Sequence, residues 1–232
     1  MSVRRLSLLL LLFIFAGCTP QQVLMSAMVP DGTASMVLSH LQNVEDGNRR
    51  RIAELEQRRD WAGLAKFAED NISRDPFSPE WRLIGGYAWS QAGDYPRAAG
   101  YFGEMVRLSP DDVTAYHFLA GAQRAAGQQQ RALVTLERAR LVTRESPVTD
   151  FLLGEVNAEL GRGSVAVMAY RRALATDPMQ AGAWFGMGRE SLKLGLVGDA
   201  REALRSLQQL RSPQAAELDA LIRHRSGISG KE

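Results

Sequence analysis

A register of 34 residues runs through most of this 232-residue chain and limits its fold more than any other feature. Units set to begin at 79, 113, 147 and 181 follow one another without insertion. Their eighth positions are Gly86, Ala120, Gly154 and Gly188, and their fifteenth are Gly93, Gly127, Gly161 and Gly195. The twentieth are Ala98, Ala132, Ala166 and Ala200, and the twenty-fourth are Phe102, Leu136, Tyr170 and Leu204. Pro110 and Pro178 close the first and third of these units. Each unit holds two stretches of helical apolar period, each about 12–14 residues long. Small residues at positions eight and twenty let the paired helices approach closely. Glycine at fifteen can adopt the left-handed conformation that stops the first helix. Proline near the end of the unit stops the second. One such pair cannot bury its apolar face alone, so the units must stack.

The period and these positions resemble the tetratricopeptide repeat (TPR), the match being densest from Gly86 to Pro110 through Gly93-Asp94-Tyr95 and Ala98. A fifth, degenerate unit fits at 45–78. It keeps Asp60-Trp61 and Pro76, but has Ile52, Arg59 and Leu64 where the others carry small residues. Beyond the last unit, Ser212-Pro213 restarts a helix whose Glu217, Asp219 and Arg223 suit a solvating cap. The expected fold is therefore all-α: a TPR superhelix of about five helix-turn-helix units over 45–225, the segment 213–225 being the cap. A polar tail, 226–232, follows.

The N-terminus reads as an address. Arg4 and Arg5 precede an apolar run from Leu6 to Gly17, broken only by Ser7. That run has signal-peptide length, short of the roughly 20 residues a membrane-spanning helix needs. It ends in Phe15-Ala16-Gly17-Cys18, which resembles the lipobox of bacterial lipoproteins, with Phe15 where that pattern prefers leucine. The resemblance implies cleavage of 1–17, then S-diacylglycerol and N-acyl groups on Cys18, and no other cofactor. Two or three acyl chains make a firm anchor where one would not. Thr19 in place of the inner-membrane retention signal implies the periplasmic face of the outer membrane. Pro20, Pro30, Asp31 and Gly32 make 18–44 a tether.

In the TPR family the first helices of successive units line a concave groove. Carried onto this chain, that pattern assigns Leu83, His117, Phe151 and Phe185 to the fifth positions. Tyr87, Glu155 and Arg189 fall at the ninth, and Arg124 lies further along its helix. The resemblance implies an exposed apolar and aromatic ladder edged with charge, suited to a helix or extended segment of a protein partner. Trp89 and Trp184 fall at inward positions and read as core. Trp61 and Trp81 carry no assignment, and Arg49-Arg50-Arg51 reads as a solvated helix face. A carboxylate clamp of the chaperone-binding kind is not expected, because Leu83, His117 and Phe151 stand where its basic residues would be.

Composition narrows the function classes. Without Arg4 and Arg5 the chain carries 26 basic and 26 acidic side chains, so no basic footprint for nucleic acid is expected. A single cysteine excludes an internal disulfide or a cysteine-based zinc site, and His40, His117 and His224 are too far apart in sequence for metal-ligand spacing. No nucleophile stands beside an oriented base, so an enzyme is not expected. In length, lipobox and repeat number the chain is similar to the TadD lipoproteins of Flp (Tad) pilus assembly. That resemblance implies a pilotin that carries a secretin subunit to the outer membrane. The alternatives are an adaptor for peptidoglycan hydrolases or proteases, and a self-associating envelope scaffold.

Overall fold

In a computed structural model, residues 46–225 and Gly227 are described. The signal segment 1–17, Cys18, the tether 18–44 and, apart from Gly227, the tail 226–232 lie outside the described residues. The described chain is all-α, as expected. It forms five helix pairs and a final helix: α1 Asp46–Gln57, α2 Trp61–Arg74, α3 Pro79–Gln91, α4 Tyr95–Leu108, α5 Val113–Ala125, α6 Gln129–Val142, α7 Pro147–Glu159, α8 Gly163–Thr176, α9 Ala181–Lys193, α10 Val197–Gln209 and α11 Gln214–Arg225.

Local chemistry starts and stops these helices. Ser78 and Ser146 accept hydrogen bonds from the third backbone N–H of α3 and α7, and Pro79 and Pro147 occupy first helical positions where no N–H is needed. Asp60 and Asp94 cap α2 and α4 in the same way. Each first helix ends on a left-handed residue. Gly93, Gly127, Gly161 and Gly195 have φ between 73° and 80°. After Gly93, the Asp94 N–H donates to the Trp89 carbonyl at 2.9 Å, closing the helix end. The degenerate first unit adopts the same turn without glycine: Arg59 has φ 52°, at a conformational cost of roughly 1–2 kcal/mol.

In the pairs α3–α4 and α7–α8, position eight receives the side chain of position twenty-four. A Cβ on Gly154 would lie 2.5 Å from the Tyr170 ring, and one on Gly86 would collide with Phe102. In the last pair Leu204 stays half-buried and the cap takes over. Leu218 of α11 is wholly buried, 2.6 Å from where a Cβ on Gly188 would sit. The chain enters that cap through Arg211, left-handed at φ 53°. The four earlier second helices end on the residues Asp75, Ser109, Thr143 and Asp177 with negative φ.

Successive units are tied by a contact the sequence reading missed. The side chain at position four donates to the carbonyl of the proline closing the previous unit. Arg82 Nη2 reaches Pro76 O at 2.7 Å, Tyr116 Oη reaches Pro110 O at 3.0 Å, and Trp184 Nε1 reaches Pro178 O at 2.8 Å. Where Arg144 replaces the proline, position four is Asp150, buried and paired with Arg172 at 2.8 Å. Trp184 is thus half-buried, packed against the edge of the C-terminal core at a unit boundary where its indole N–H reaches that carbonyl. Trp89 is also half-buried against the edge of the N-terminal core, with the Arg97 guanidinium 3.9 Å above its ring. Trp81 is buried edge-on against Phe67, and Trp61 edge-on against Tyr87. Arg49 and Arg51 lie along α1 in ion pairs with Asp46 and Glu54.

Candidate partner-binding surface

The first helices α3, α5, α7 and α9 carry every residue assigned to the groove. Four of these are buried outright and the other four are partly buried. Leu83, Tyr87, His117 and Phe151 are at most 9% exposed and belong to the packing between units. Position five sits where consecutive first helices meet, so its side chain is buried by the next unit. The Phe151 ring lies 3.3 Å from where a Cβ on Gly182 of α9 would sit, and stands 6.1 Å from Tyr170 between centroids. His117 Nε2 is 2.7 Å from Thr149 Oγ1 of α7. Tyr87, at position nine, reaches back instead and donates to Glu56 of α1 at 2.6 Å. Phe185 is less buried than these and packs at the edge of the C-terminal core, where the cap α11 follows α9. It is half-buried, with Arg189 at 5.9 Å over its ring.

Polar residues of the same row form a compensated network. Arg124 of α5 donates to Glu159 at 2.6 Å and to Glu155 at 3.2 Å, both on α7. Glu155 also accepts from the Tyr170 hydroxyl of α8 at 2.6 Å. Burial and this carboxylate push the Tyr170 hydroxyl well above the usual phenol range, so it stays a donor. Glu190 of α9 is almost fully buried. It is held by Lys193 at 2.7 Å and Arg189 at 3.4 Å, and lies beside Gly163 at the start of α8, where the helix dipole favours a carboxylate. The structure thus brings Arg124, Phe151, Glu155, Phe185 and Arg189 into one region of α5, α7 and α9, while Leu83 and Tyr87 stand apart in the N-terminal units. Glu159, Tyr170 and Glu190 were missed by the sequence reading. Glu159 and Glu190 stand at no marked repeat position, and Tyr170, marked at position twenty-four as a packing residue, joins the network only through its hydroxyl.

His117 gives the region a pH dependence. Burial lowers its pKa to about 4, against a smaller opposing pull from Asp112. The imidazole is therefore neutral when folded, while the unfolded chain binds a proton near pH 6.5. Its contribution is full above about pH 6.5 and is lost as pH falls towards 4. The loss is at most about 3 kcal/mol. Urea denaturation at about pH 7.5 and about pH 4.5 should show this loss in the wild type and a smaller one in His117→Gln. Equal losses in the two proteins would contradict the assignment.

Comparison with known proteins agrees with this geometry. Two family models, each described as tetratricopeptide repeat, match residues 90–149 and 151–218, together more than half of the chain. The chain belongs to the tetratricopeptide-repeat family. Solved TPR folds superpose on it. PilW, described as a widely conserved type IV pilus biogenesis factor, is 16% identical with a TM-score of 0.67, over 80% of this chain and 89% of that one. MamA from Desulfovibrio magneticus RS-1 is 19% identical with a TM-score of 0.62, over 71% and 93%. A thermophilic TPR protein of Thermus thermophilus is 19% identical with a TM-score of 0.57, over 78% and 97%. No curated protein matches. The matched models are repeat modules and indicate no catalytic family. Among the described residues, no group of three or more His, Cys, Asp or Glu is placed to hold a metal ion, and no helix is long and apolar enough to cross a membrane. As a TPR chain it is a protein-interaction scaffold.

Proposed function

We propose that this TPR protein is a lipid-anchored assembly factor of the bacterial outer membrane, a pilotin that captures a secretin subunit of the Flp/Tad pilus. The observation that carries the binding part is the half-buried Phe185 with Arg189 at its side. It is the one assigned fifth-position side chain that stays partly accessible, Leu83, His117 and Phe151 being buried. An aromatic anchor beside a guanidinium, backed by the rigid Arg124–Glu155–Tyr170 floor, suits a partner segment that brings one apolar side chain and one acceptor. The anchor part rests on Cys18 following Phe15-Ala16-Gly17. The pilus part rests on the architecture shared with the TadD lipoproteins, and PilW of similar fold is itself a pilus biogenesis factor.

The test is an affinity pull-down of the lipidated protein from its own cells under pilus-expressing conditions, read by mass spectrometry. Recovery of a secretin, lost in a Phe185→Ala/Arg189→Ala variant of unchanged helicity, is the expected result. Recovery of murein hydrolases, or of a secretin in equal amount from both proteins, would sink the reading. Cys18→Ser is expected to move the folded protein from the membrane to the soluble fraction.

A further inference from the structure

On the opposite side of the N-terminal units, between the second helices α2 and α4, lies a cleft of about 440 Å³, lined by Glu69, Ile72, Ser73, Arg82, Gly100, Tyr101 and their neighbours Arg97 and Glu104. The cleft is open along α4 where Gly100, which lines it, lacks the side chain its counterparts carry. Gly100 stands where the other second helices have Lys66, Val134, Met168 and Glu202, and Gly103 stands where they have Glu69, Glu137, Arg171 and Arg205. A glycine inside a helix costs about 1 kcal/mol relative to alanine, and a Cβ at either position would meet nothing within 4 Å. Packing therefore does not require glycine there.

The second observation is Arg82, which lines the cleft although only 9% exposed. Its tie to the Pro76 carbonyl, at 2.7 Å, is made by neutral donors in other units, Tyr116 and Trp184. The positive charge is thus not needed for that tie. Its only other hydrogen bond among the described residues is a long one to Ser78 O at 3.5 Å, and no carboxylate among them pairs with it. Buried guanidinium groups are ordinarily paired with an anion. Nearby charges are already engaged: Arg97 with Asp94 at 2.8 Å, Glu104 with Arg107 at 2.8 Å, and Glu69 with the Tyr101 hydroxyl at 2.8 Å.

We propose that this cleft is a second binding site, in which Arg82 takes a carboxylate of a peptide segment of a protein partner. Glu69 and Glu104 at its walls disfavour a phosphate or a polyanion and can accept the backbone N–H groups flanking a single carboxylate. Ile72 and the Tyr101 ring supply the apolar wall, and the volume suits a few residues of chain. The site is separate from the Phe185 surface and does not depend on the pilotin reading.

The test follows the Arg82 Nε–Hε resonance in the full chain in detergent. The chain is titrated with an acetylated, amidated five-residue alanine peptide bearing one central glutamate, with its glutamine counterpart, with the all-alanine peptide bearing a free C-terminus, and with inorganic phosphate. A saturable shift is expected with a carboxylate peptide and not with the glutamine peptide. The tighter of the two carboxylate peptides identifies a side-chain or a terminal source. Arg82→Tyr, which keeps the donor used by Tyr116, and Gly100→Val, which restores the side chain of α6, should each retain helicity and weaken binding about tenfold or more. For Arg82→Tyr the remaining reporter is the Tyr101 amide. No shift in the wild type, equal response to the glutamine peptide, unchanged binding in both variants, or tighter binding of phosphate would overturn the proposal.

Discussion

Tyr170→Ala is expected to lower the unfolding free energy by about 4–5 kcal/mol, read as loss of helicity in chemical denaturation. Three effects add at this one residue. The ring is fully buried and is the filler between helices, closing the gap left by Gly154 on α7 and Gly186 on α9. Neither glycine has a side chain that could move into the vacated space, so the cavity would stay largely open. Phe151, 6.1 Å away between centroids, would lose a packing partner. Finally, Glu155 would lose the hydroxyl that donates to it at 2.6 Å. Tyr170→Phe separates these effects: it keeps the ring and removes only the hydroxyl, at a cost of about 1–3 kcal/mol for a hydrogen bond to a charged acceptor. A loss below about 2 kcal/mol for Tyr170→Ala would mean that the C-terminal units do not depend on this contact.

Arg124→Met should cost about 3 kcal/mol, although methionine fills much of the same volume. The side chain of Arg124 is 9% exposed and answers two carboxylates, Glu155 and Glu159. Removing it leaves two like charges one turn apart on α7, one of them largely buried, and breaking such a pair is more damaging than replacing both partners together. The double variant Arg124→Met/Glu155→Gln is therefore expected to recover part of the loss. Additive losses in that cycle would show that the two groups do not interact in the folded protein. Because the network joins α5 to α7, the same variant should also weaken capture at Phe185 only to the extent that it loosens the units.

The fifth-position residues show where reading from the repeat alone stops. A repeat register assigns Leu83, His117, Phe151 and Phe185 the same role. The stacked chain gives the first three to the interface between units and leaves only the last half-open. Burial there depends on what the next first helix brings, and after α9 that helix is the cap α11, which seats Leu218 against Gly188 and leaves Phe185 only half-buried. Position-four ties could have been found in the sequence, since Arg82, Tyr116 and Trp184 each stand six residues after a proline. Glu155, paired at once with residues 31 and 15 positions away, could not.

By itself the sequence determined the helix pairs, their register and their ends. Those depend on contacts within a few residues: serine and aspartate caps, proline at first turns, and left-handed glycine at position fifteen. The order of units also follows, because one amphipathic pair can bury its face only against the next. Tertiary structure alone decided which side chains of a common position are buried and which stay open. It also decided which carboxylates find a partner, and where the absent side chain at Gly100 opens a cleft beside a buried guanidinium. The physical reason is distance along the chain: caps and turns are local, whereas burial and charge pairing are set by groups a whole unit away, which a 34-residue period does not encode.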